Sequence, residues 1–226
     1  MDLARKLEDA RQNGAGRLTR VASGLTKEEY DLLAGLKSPI KIQDFLDALP
    51  MNFEKGGDTY LSPRRVLAEQ RSHCIEGAML AATALWIAGE PPLIMDLSAR
   101  MGRGDVDHVV ALYKRGGYYG AISKTNHAVL RFRDPVHRTL RELALSYFNE
   151  WFLPTGEKTL ECYGKPLDMR RFGTDWITSE KDLWEVADAL SVLPHYDLVP
   201  KGNWRYVRAA DPMERKAGLF PEWPNW

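Results

Sequence analysis

The 226-residue chain sets 31 basic side chains against 31 acidic ones, a formal net charge of zero. That argues against a dedicated nucleic-acid binder, which needs a basic stripe, and against an acidic disordered tail. Hydrophobic residues make up 44%, enough for a substantial core in one domain. Cys74 and Cys162 are too few for a disulfide scaffold. The charged N-terminus lacks an apolar signal-peptide core, and the longest apolar stretch, residues 78–89, is too short to span a bilayer. The expectation is a cytoplasmic protein with free thiols that neither enters a membrane nor binds nucleic acid.

Residues 1–12 read as a charged helix stopped by Asn13-Gly14-Ala15-Gly16. Thr26-Lys27-Glu28-Glu29 is a capping box, and Leu32, Leu33 and Leu36 follow at helical spacing. Ser38-Pro39 opens another helix with Ile42, Phe45, Leu46 and Leu49 along one face. Residues 54–58 form a turn, and Ser62-Pro63 starts a short helix. Arg71 to Ala88 is the strongest helix. It is apolar nearly all round, as a central helix must be.

Residues 93–97, 108–114 and 118–123 read as strands, the last two joined by a tight Arg115-Gly116-Gly117 hairpin. Asp134-Pro135 is expected to cap a helix that buries Leu140, Leu143, Ala144, Tyr147, Phe148 and Trp151. Residues 158–163 suggest a short strand. Residues 179–182 are expected to start a helix carrying Leu183, Val186, Ala187, Leu190 and Leu193. Trp204, Trp223 and Trp226 are expected to pin the tail to the body. The chain is one domain: a helical layer (1–60), an α+β core (61–153) and a C-terminal extension (154–226).

The chemistry-bearing pair is Cys74, where a polar loop becomes the central helix, and His108, which opens an apolar strand. A thiol at a helix start feels the dipole and free N–H groups, which favour the thiolate. An imidazole beside it takes and returns the proton. About a turn at Gly116, antiparallel partners sum to about 231–233, so His108 faces the region Ser123–Thr125. Ser123 or Asn126 is then the group that orients the ring. The Cys74 backbone N–H, with Gln70, is the candidate oxyanion hole. His73 is a loop residue or a binding group.

The segments RSHCIEGAMLAATALWIAGEPPLIMDL and DHVVALYKRGGYYGAIS resemble the core of the transglutaminase-like superfamily. Cys74, Glu76, Ala78, Gly89-Glu90-Pro91, His108 and Ser123 fill its slots in order. The resemblance covers residues 62–134. It implies a papain-like α+β fold, with the Cys74 helix on a small antiparallel sheet, and a Cys74–His108 catalytic pair. The chain departs from the family at two places. Ser72-His73 replaces a small residue before the cysteine, and Ser123 stands where an acidic residue is usual. The implied activity is acyl transfer or amide hydrolysis on a peptide, protein or small amide. The chemistry asks for no cofactor. Two alternatives stand beside it: a binding or scaffold protein that kept the fold and lost the chemistry, and a metal-dependent hydrolase using Cys74, His108 and His127. Cys162 reads as structural.

Overall fold

A computed structural model describes residues 16–218 and 220–222. The expected 1–12 helix, Trp223 and Trp226 lie outside the described residues. The described chain is α+β. Helices α1 (Arg20–Ser23), α2 (Lys27–Gly35), α3 (Pro39–Ala48), α4 (Pro63–Glu69) and α5 (Cys74–Ile87) come first. Strands β1 (Leu93–Ala99), β2 (His108–Arg115), β3 (Tyr118–Ile122) and β4 (Arg133–His137) follow, then α6 (Leu140–Phe148). The rest is β5 (Leu160–Gly164), β6 (Leu167–Asp168), α7 (Trp184–Val192), β7 (His195–Asp197), α8 (Pro212–Gly218) and short 3-10 turns.

The seven strands form one antiparallel sheet in the order β4-β3-β2-β1-β5-β7, with β6 also against β1. Helices cover both faces, so the centre of the sheet is apolar on each. In β2, Val109, Ala111 and Tyr113 join the cluster under α5, while Val110 and Leu112 join the cluster under α6. That two-sided cover explains the unbroken HVVALY run, where a half-exposed strand would alternate.

Local signals place most helix starts. The Ser38 and Ser62 hydroxyls accept from Lys41 N–H and Arg65 N–H, each ahead of a proline at the first helical position. Thr26 and Glu29 complete their reciprocal capping box. Of the α2 leucines, Leu33 is fully buried while Leu32 is exposed.

Three expected boundaries move. The central helix starts at Cys74, not Arg71, because Ser72 is drawn into a parallel bridge with Met51 and its backbone bonds to Pro50 and Asn52. Asp134-Pro135 does not cap a helix. Both lie in β4, at the sheet edge, where proline interrupts no central ladder. The Thr139 hydroxyl caps α6 instead, accepting from Glu142 N–H at 3.1 Å. Residues 179–182 do not start α7, which begins at Trp184 without a side-chain cap. Asp182 is engaged elsewhere, accepting from Tyr60 N–H at 3.1 Å and pairing with Arg65 at 2.8 Å.

Candidate active site

Cys74 is the first residue of α5, and the bridge at Ser72 is what places it there. No acceptor takes the Cys74 backbone N–H among the described residues. The helix continues through Gly77, where a Cβ would stand 2.6 Å from the Lys124 Cβ. Gly77 thus lets the segment after β3 lie directly on the cysteine helix. Lys124 is buried, and its ammonium donates to the Leu46 and Leu49 carbonyls at the end of α3. Burial pulls its pKa down to about 8.

His108 is the first residue of β2, 7% exposed, with Trp151 edge-on to its ring at 6.1 Å. The β2–β3 register pairs residues such as Ala111 and Ile122, so Ser123 continues opposite Val110, diagonal to His108 on one face. The Ser123 Oγ lies 2.7 Å from His108 Nε2. Its hydroxyl donates to the Leu130 carbonyl at 2.5 Å. With its one proton spent there, Ser123 can only accept from the imidazole. His108 therefore carries a proton on Nε2, and Nδ1 is the ring nitrogen that Ser123 leaves open. The Gln43 side-chain amide clamps the Ser123 peptide on both sides, accepting from its N–H at 2.9 Å and donating to its carbonyl at 2.7 Å.

Cys74 is half-buried, and two rings address its sulfur. His73 Nδ1 stands 3.9 Å from Sγ, and His108 is the other polar neighbour. Burial raises the thiol pKa. Bonding to His108 and His73, and the positive charge of both rings, outweigh burial and bring the pKa down to about 5. Cys162, half-buried in β5 beside Asp96, Glu161 and Asp107, is pushed up to about 11, by burial first. One thiol is shifted toward the thiolate and the other away from it.

Behind His73 lies Glu76, fully buried. Its carboxylate accepts from Thr59 Oγ1 at 2.8 Å, Leu61 N–H at 3.0 Å, His73 N–H at 2.9 Å and Asn52 Nδ2 at 3.1 Å. The His73 Nε2 sits 2.8 Å from the Thr59 carbonyl, 3.3 Å from Glu76 and 3.4 Å from Glu54. Despite burial, Cys74 and Glu76 raise the His73 pKa to about 11, and Glu76 is lowered in turn.

No protein-family model and no curated protein matches the chain.

The structure brings Cys74, His108, Ser123 and His73 together. It does not bring Gln70. That residue ends α4 at φ +52°, exposed, and its amide donates to the Leu67 carbonyl at 2.5 Å. The oxyanion expectation for Gln70 fails because ending α4 takes its side chain. Asn126 does not orient His108 either, since Ser123 holds that nitrogen. The Asn126 carbonyl accepts from Glu222 N–H at 2.6 Å, and its buried Nδ2 has no acceptor among the described residues. Among the described residues, no three His, Cys, Asp or Glu side chains are grouped to hold a metal ion, and His127 does not form such a set with Cys74 and His108. Arg131 pairs with Glu222 and Asp47, and Arg133 with Glu150. Trp204 lies under the Arg100 guanidinium at 4.2 Å.

Asn52, Thr59 and Leu130 escaped the sequence reading. Glu76, three residues after the helix cap, is a capping-box signal for the His73 N–H, but nothing local announces that Asn52 and Thr59 come to it from a distant loop. Leu130 adopts φ +61°, which no leucine announces.

Proposed function

We propose that the chain is a cysteine enzyme with a papain/transglutaminase-like core that transfers or hydrolyses acyl groups. The observation that carries this reading is the half-buried thiol at a helix start, addressed by two imidazoles and pulled down to about 5. Cys74 attacks the acyl carbon. His108 Nδ1 delivers a proton to the leaving group and then withdraws one from the incoming water or amine. Ser123 fixes the ring and its tautomer. The Cys74 backbone N–H, unbonded at the start of α5, is the donor for the oxyanion. The substrate is a peptide, protein or small amide, and no cofactor enters the scheme. No helix among the described residues is long and apolar enough to cross a membrane.

One feature favours a second reading, a binding protein that retains the fold. Ser123 is neutral where the resemblance leads one to expect a carboxylate, and a hydroxyl supports an imidazolium less well. Incubation with p-nitrophenyl acetate and with small primary amides, followed by intact mass, separates the two. The enzyme reading expects an acyl adduct on Cys74 that turns over and is lost in Cys74→Ala. A folded protein whose thiol takes no acyl group and resists iodoacetamide at neutral pH supports the binding reading.

A further inference from the structure

We infer that Cys74 is served by two imidazoles with separate duties: His73, held against the buried carboxylate of Glu76, keeps its positive charge beside the sulfur, while His108 alone moves protons. The inference rests on the acyl-transfer reading and deepens it by assigning a second catalytic histidine.

The geometry around His73 is one-sided. Its Nε2 meets only acceptors: the Thr59 carbonyl, Glu76 and Glu54. A carbonyl cannot donate, so Nε2 carries a proton. Its Nδ1 faces the sulfur at 3.9 Å. Glu76 is saturated with donors from the 52–61 loop and from the His73 backbone. The Asn52 amide is turned so that its NH2 faces Glu76, because Arg71, a donor only, takes its oxygen at 2.9 Å. A carboxylate with that many donors stays ionised. Buried, it needs a countercharge, and the His73 ring is the cationic group within reach. The other titratable groups facing the ring are Glu54, Cys74 and Tyr60, whose ring lies 6.2 Å away. None of them adds positive charge. His73 is thus cationic for reasons independent of His108.

His108 is built differently. Its Nε2 bonds a neutral hydroxyl, with no carboxylate to fix a charge on the ring. Nδ1 is the nitrogen that Ser123 leaves open for proton transfer. In the first half-reaction the Cys74 thiolate forms a bond to the acyl carbon, and the bond to the leaving group breaks with its electron pair. An amine leaving group takes the Nδ1 proton of His108, whereas a phenolate needs none. In the second half, His108 Nδ1, emptied by the amine leaving group or, after a phenolate has left, by loss of its proton to solvent, takes the proton of water or an amine as it attacks the acyl carbon. The C–S bond breaks and sulfur departs as a thiolate beneath the His73 cation. His73 neither gives nor takes a proton.

The test compares wild type, His73→Gln and His108→Gln. Glutamine at 73 keeps a donor for the Thr59 carbonyl but carries no charge. Acylation of Cys74 by p-nitrophenyl acetate and alkylation by iodoacetamide are each followed against pH by intact mass. In His108→Gln the thiol should still titrate well below the ordinary ~8.5. It should still acylate in a single turnover, with steady-state release lost. In His73→Gln the midpoint should rise by at least about one unit, about a tenfold loss of reactive thiolate at pH well below the wild-type midpoint. A His73→Gln protein with the wild-type midpoint, or a His108→Gln thiol that titrates as a free cysteine, overturns the inference. If the ester fails to acylate even wild type, the acyl-transfer reading falls, while the alkylation profiles still decide the role of His73. Should His73→Gln not fold, 15N spectra of the histidine rings in wild type decide instead. An imidazolium at His73 at pH 8 supports the assignment, and a neutral tautomer there refutes it.

Discussion

Replacing Glu76 with glutamine, a change of one atom, should destabilise the protein far more than its size suggests. Oε1 accepts from Thr59 and the Leu61 N–H, and Oε2 accepts from the His73 N–H. An amide placed either way sets its NH2 against a backbone N–H, of Leu61 or of His73. One buried donor then loses its acceptor, at about 1–3 kcal/mol. The His73 cation also loses its countercharge, and breaking one side of a buried pair brings the total to about 3–5 kcal/mol. At about 2–4 °C per kcal/mol for a chain of this size, the midpoint of thermal unfolding should fall by roughly 6–20 °C. The deficit should depend on pH. Glu76 titrates below its ordinary 4.5, so its contribution is present above that value and is lost as acid reaches its lowered folded value. His73 is raised from 6.5 to about 11, so its contribution is whole below 6.5 and drains away as pH climbs to about 11. Urea titrations of both proteins should therefore show the widest gap between about pH 4.5 and 6.5, narrowing on either side. A gap under about 1 kcal/mol, or one indifferent to pH, refutes the reasoning.

Gly77→Ala drives a methyl to 2.6 Å from the Lys124 Cβ and should cost about 1–3 kcal/mol in urea denaturation. Ser123→Ala strips a partner from both His108 Nε2 and the Leu130 carbonyl. At about 1.4–2.8 kcal/mol, kcat/KM toward an ester should fall roughly 10–100-fold with the fold retained. Native protein treated briefly with iodoacetamide near neutral pH should carry the label on Cys74 alone, read by peptide mass spectrometry, because Cys162 is held up near 11. Labelling of Cys162 at a comparable rate counts against the electrostatics described for both thiols.

Much of the scaffold was legible because its signals are local. The Ser-Pro starts of α3 and α4, the Thr26 capping box and the double-glycine hairpin each depend on neighbouring residues. The hairpin carried the reading furthest, since a two-residue turn fixes the register and sets Ser123 diagonal to His108. The errors came where distant backbone intervened. Met51 pulled Ser72 out of the helical pattern, and sheet pairing with β3 turned Asp134-Pro135 into an edge strand. Gln70 looked available because sequence does not show which way a helix-ending side chain folds. His73 was legible as a site residue but not as a cation, since its charge is set by Glu76 and by the loop that carries Thr59.

The bond from Ser123 to Leu130 bears on how such a site changes over generations. Leu130 holds a left-handed backbone, an arrangement unfavourable by about 1–2 kcal/mol for a side chain of this kind, and its carbonyl takes the Ser123 proton. A carboxylate at 123 would confront that carbonyl with a second acceptor. Ser123→Asp alone should therefore be a step downhill in fitness, even though it adds a charge that an imidazolium favours. The neighbouring peptide must turn first, which a glycine at 130 permits. The two positions are bound as one unit of inheritance. A lineage can keep the neutral site or rebuild both residues, but it cannot pass between them one substitution at a time without crossing a weaker protein.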